Sequence, residues 1–190
     1  MVVPTVNGNL IKRIKELWND RGNRFVIQVV GIYLCWKLLY YIIENDKGIV
    51  RIFWLKLVKG MGVLYAEITH RLLLMMSVPN ERIAHAVKHT ESQKAITIDE
   101  HCLAIPAMFI FSACIAVFSG SWRNKIWFIP LGVLGIAGIN IARVTVLAFV
   151  HFYLPDIYFI FHHSFAFIII TYSLVFLLIR FWMKYLSVVE

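Results

Sequence analysis

From Ile126 to Val150 the chain runs for about 25 residues with one charged side chain, Arg143. Lipid cannot satisfy exposed backbone amides and carbonyls, so a run of this kind crosses a bilayer as a helix, and roughly 20 apolar residues suffice. Further apolar runs extend from Phe25 to about Ile43, from about Ala104 to Phe118 and from about Phe165 to Ile179. Only 16% of the 190 residues are charged and 60% are hydrophobic. A soluble domain carries about 25% charged residues, so this chain has too few to clothe a water-facing surface. Its main solvent is lipid.

The charge balance is basic, with 19 Lys and Arg against 11 Asp and Glu. In a membrane chain such residues flank the spans and orient them, and no nucleic-acid partner is implied. The connector Ser119–Lys125 reads as cytoplasmic, and so does the tail bearing Arg180 and Lys184 beside Trp182 and Tyr185. Residues 1–24 form a basic lead-in with Lys12, Arg13, Lys15, Arg21 and Arg24, also expected on the cytoplasmic side. No small-residue cleavage site follows the first apolar run, so the lead-in is not read as a cleavable signal peptide. Residues 25–190 then form a single membrane-embedded domain.

Segment 49–76 is apolar overall but carries Lys56, Lys59, Glu67, His70 and Arg71 on one helical face. Topological parity makes it an amphipathic helix along the outer interface, with a fifth crossing as the alternative. The expected fold is therefore all-α, a polytopic transmembrane helix bundle of four to five spans with an amphipathic interfacial helix. Within the longest polar stretch, 77–101, the alternation in Lys94–Glu100 is compatible with a short strand. Gly132, Gly135 and Gly138 predict close helix packing along 126–150.

Several residues could carry chemistry. Arg143 lies about 8 residues before the outer end of its run, which places it roughly 12 Å into the hydrocarbon on the sequence count. A central arginine costs about 2.5–3.5 kcal/mol on insertion scales, so it is expected to face a polar cavity. Asn140 shares its helical stripe. His162 and His163 stand at the outer mouth of the final span; read alone they cap it, yet histidine is also the natural proton carrier near neutral pH. Cys35 and Cys114 sit inside apolar runs as small hydrophobes. Cys102 instead follows a polar stretch and opens an apolar one. At a helix N-terminus, the helix dipole and a nearby cation would raise its thiolate fraction. His101, Cys102, His162 and His163 do not match a recognised metal-ligand spacing, and neither metal nor cofactor is expected.

The span count brings Cys102, the Asn140/Arg143 stripe and the histidine pair to the outer face on three neighbouring helices. Across residues 94–185, through Glu100-His-Cys-Leu-Ala-Ile105, Gly138-Ile-Asn-Ile-Ala-Arg-Val144 and His162-His-Ser-Phe-Ala166, the chain resembles the exosortase/archaeosortase family. The resemblance implies a membrane cysteine transpeptidase with Cys102, Arg143 and either His162 or His163 as its catalytic set. It implies substrates that are exported proteins bearing a C-terminal motif, a hydrophobic helix and a basic cluster. It implies residence in the cytoplasmic membrane, with the site facing outward. The chain departs from the family pattern at Leu103-Ala104, where many members carry a Ser-Gly-like step. Ala166 or Phe167, depending on the histidine counted from, stands where many carry glycine. A non-catalytic membrane scaffold and a small transporter are the rival readings.

Overall fold

A computed structural model describes residues 21–154 and 167–187. Helix α1 spans Arg21–Asn45 and α2 spans Ile49–Met75. Between them the Asp46 carboxylate accepts the backbone N–H groups of Gly48 and Arg51, at 3.1 Å each, and so satisfies amides that the start of a helix leaves unpaired. Three short strands follow: β1 Asn80–Ile83, β2 Ala86–His89 and β3 Ala95–Thr97. They pair antiparallel in sequence order, with Glu81 opposite Lys88 and Val87 opposite Ile96. A 3-10 turn, Glu100–Cys102, leads to α3 Ile105–Val117, then α4 Trp122–Tyr153, then α5 Phe167–Phe181 with a wider π turn at Trp182–Leu186.

The architecture is mostly helical, but the sheet corrects the all-α expectation. The alternation at 94–100 marks one of its strands, and the other two arise from residues whose mixed charge hides their periodicity. Among the described residues three helices are long and apolar enough to cross a membrane: Phe25–Asn45, Trp122–Tyr153 and Ile169–Leu186. Helix α3 is apolar but has only 13 residues, about 20 Å of rise. Against the anticipated four to five spans, the described residues supply three candidates by length and composition and one shorter apolar helix. On α1, Val30, Leu34 and Leu38 are exposed and apolar, as a lipid-facing stripe requires.

Two apolar clusters share α4. Its first half packs with α3 and α5 through Phe111, Ile115, Phe128, Ile136, Val175 and Trp182. Its second half packs with α2 and the sheet through Tyr65, Leu73, Val87, Ile98, Val144 and Leu147. Gly132 is a true contact glycine, since a Cβ there would run into the Phe111 ring, whereas Gly135 and Gly138 face open space. Close packing is therefore confined to one of the three glycines.

Helix α2 is amphipathic, but its buried stripe, Trp54, Val58, Gly62, Tyr65, Ala66, Thr69 and Leu73, is covered by protein. Contacts follow in order along it. Trp54 donates to Glu100, a Cβ on Gly62 would sit 2.9 Å from the Ile98 carbonyl oxygen, and His70 bonds Asn80 at 2.7 Å. The segment that ends in Cys102 is laid along this helix.

At the other end of the bundle Lys125 is buried and its ammonium donates to the Ala116 carbonyl at 2.8 Å, satisfying an acceptor left over at the end of α3. Trp182 closes the same corner. It donates to the Ser119 carbonyl at 3.2 Å and packs against Gly120, whose φ of +140° suits glycine.

Candidate active site around Cys102

Cys102 is the last residue of the 3-10 turn, and its N–H donates to the Asp99 carbonyl at 2.8 Å. It does not stand at the N-terminus of α3. Ala104 intervenes in the left-handed conformation (φ 53°), and the helix begins at Ile105 with Pro106 in its first turn. The thiol therefore belongs to the turn that precedes the helix, not to its first residue as the sequence reading supposes. The side chain is buried, at 8% exposure. Burial pushes the thiol pKa above its ordinary value, while the hydrogen bond with the Asp99 backbone and the charge of Arg143 pull it down. Burial wins, so the resting group is a thiol.

Asn140 and Arg143 lie on the buried face of α4, at 0% and 8% exposure. The Asn140 side-chain amide donates to the carbonyl oxygen of Cys102. Arg143, one turn further, is close enough for its charge to act on the thiol. The predicted convergence of cysteine, asparagine and arginine thus appears in the fold. His162 and His163 lie outside the described residues.

The depth assigned to Arg143 needs revision. Helix α4 continues past Val150 to Tyr153, and its last turns run beside the sheet. Lys94 donates to the His151 carbonyl at 2.9 Å, and the His89 ring packs on Phe152 and Tyr153. These turns are clothed by protein, so distance from the helix end does not measure depth in hydrocarbon.

Residues that the sequence did not single out complete the surroundings. The Tyr65 hydroxyl of α2 faces the Asn140 side chain. Trp54 donates its indole N–H to Glu100 at 3.1 Å, and the Tyr40 hydroxyl faces the same carboxylate. His85, in the β1–β2 turn, lies 3.7 Å from Asp99. No motif marked Tyr65 or Trp54, because each belongs to a helix whose apolar stripe reads equally well as lipid-facing.

Among the described residues no group of three or more His, Cys, Asp and Glu side chains is arranged to hold a metal ion. Chemically, the arrangement supplies a buried thiol, a cation beside it and a side-chain amide that fixes the turn carrying the thiol. Comparison with known proteins yields no relative: no family model, curated protein or solved structure matches the chain.

Proposed function

We propose that this chain is a membrane-embedded cysteine peptidase or transpeptidase that cleaves the C-terminal sorting signal of exported proteins at the outer membrane face. The observation that carries the reading is the meeting of Cys102 with Asn140 and Arg143 at the boundary between the helical bundle and the sheet-bearing cap. A buried arginine is costly, and its charge acts on the Cys102 thiol.

In this mechanism the Cys102 thiol passes its proton to His162 or His163 and attacks a peptide carbonyl carbon, and the tetrahedral intermediate collapses with loss of the amine to leave a thioester. Arg143 stabilises the thiolate and then the oxyanion, an electrostatic role that low dielectric strengthens. Asn140 holds the Cys102 backbone in place. His162 or His163 protonates the departing amine and later activates the acceptor or water. The substrate's own apolar helix packs against the spans and keeps the scissile bond near the thiol. Both termini are assigned to the cytoplasm and the membrane to the cytoplasmic one.

The test is processing of a tagged exported protein that ends in a hydrophobic helix and a basic cluster. Cys102→Ala is expected to abolish cleavage. Cleavage at the parental rate removes this mechanism, and rescue of a deletion strain by Cys102→Ala points instead to a non-catalytic scaffold.

A further inference from the structure

Beside the Cys102 turn, α1 and the start of α3 enclose a cavity of about 210 Å³ lined by Trp36, Lys37, Tyr40, Glu100, His101, Ile105 and Pro106. Its walls are aromatic and its one acid is Glu100. That carboxylate is held in place, because Trp54 donates to Oε1 at 3.1 Å and the Tyr40 hydroxyl faces it. Among the described residues it forms no ion pair with a cation. Lys37 lines the cavity, but its ammonium lies 5.8 Å from the centre of the Tyr33 ring, one turn back along α1. Arg51 also acts electrostatically on the Tyr40 hydroxyl.

Trp54 and Tyr40 meet this carboxylate as neutral donors, and indole and phenol faces attract cations through their quadrupoles. Trp36 and Tyr40, with ring centroids 6.1 Å apart, both line the cavity. From these features we infer that the cavity is a binding site for a primary alkylammonium group. Its volume suits a single chain the size of a lysine side chain. Glu100 supplies the counter-charge, Trp36 and Tyr40 the aromatic walls, and Ile105 and Pro106 the apolar contact for the methylene stem. That the cation belongs to a reactant of Cys102 rests on the proposed function; the binding itself does not.

The experiment uses the full chain carrying Cys102→Ala, in nanodiscs, with tryptophan replaced biosynthetically by 5-fluorotryptophan. The six indoles are assigned by single Trp→Phe variants. Titration with n-butylamine at neutral pH is expected to shift the Trp36 and Trp54 fluorine resonances saturably and to leave Trp122 and Trp127 in place. Glu100→Gln keeps an acceptor for Trp54 but removes the charge, and should weaken binding at least about tenfold, the scale of a lost charged contact. N-acetyl-lysinamide binding as tightly as n-butylamine means the site reads the ammonium stem alone; tighter binding means that it also holds peptide backbone. The inference is overturned if no saturable shift occurs, if Glu100→Gln binds n-butylamine equally well, or if sodium butanoate reproduces the shifts. Since the thiol is absent throughout, a failure here leaves the Cys102 mechanism standing, and the reverse holds too.

Discussion

The Asn140 side-chain amide donates to the backbone carbonyl of Cys102, tying the middle of α4 to a turn 38 residues earlier in the chain. Both residues are buried. Removing the amide leaves a carbonyl in an apolar cluster without that donor, at a cost of about 1–3 kcal/mol. Asn140→Ala should therefore lower the thermal midpoint of the detergent-solubilised protein. Because the turn is released, it should also speed alkylation of Cys102. A variant that melts like the parent and alkylates at the parental rate would show that the tie is inert.

The thiol should be slow to react at neutral pH. Burial holds the Cys102 pKa above the ordinary thiol value, so its alkylation profile should have a midpoint higher than that of a free cysteine, about 8.5. Arg143 opposes burial, so Arg143→Gln should move the midpoint further up and reduce the rate measured at any fixed pH below it. The sign for stability follows from linkage. A folded pKa raised above the unfolded one favours the protonated form, so this contribution is complete below the unfolded thiol pKa and fades as pH climbs through the folded one. Alkylation with a membrane-impermeant maleimide across a pH series, in the parent and in Arg143→Gln, measures the order of the two midpoints.

Gly132 and Gly135 should respond oppositely to alanine. A methyl at 132 meets the Phe111 ring, and overpacking of this kind costs about 1–3 kcal/mol. At 135 there is open space, and alanine gains up to about 1 kcal/mol in helix propensity. Thermal melts of the two variants in the same detergent give the comparison, and equal midpoints would contradict the packing described.

Lys125 should matter more than a surface lysine. The residue is 6% exposed and its ammonium bonds the Ala116 carbonyl. Lys125→Met keeps the stem volume but deletes the donor, so a loss of about 1–3 kcal/mol is expected. Lys56→Met, at an exposed site on α2, should stay within about 0.5 kcal/mol.

Much of this was legible in the sequence because lipid imposes a strong rule. The runs Phe25–Ile43 and Ile126–Val150 could hardly be anything but helices, and the fold brings Cys102 to Asn140 and Arg143. The sheet was hidden for local reasons. Its strands have three or four residues, β1 reads Asn-Glu-Arg-Ile, and its turns use Ala84 and Gln93 at positive φ where glycine or asparagine is the usual signal. The placement of Cys102 was hidden too. Pro106 marks a helix start, but only the left-handed Ala104 reveals that the cysteine belongs to the turn before it.

Helix α4 has 32 residues, about 48 Å, and lends side chains to both apolar clusters. Neither cluster can lose its structure without stripping contacts from the same rod, so the molecule should open as one cooperative unit. In native-state hydrogen exchange, α4 amides on either side of Gly132 and Val144 should exchange together and last.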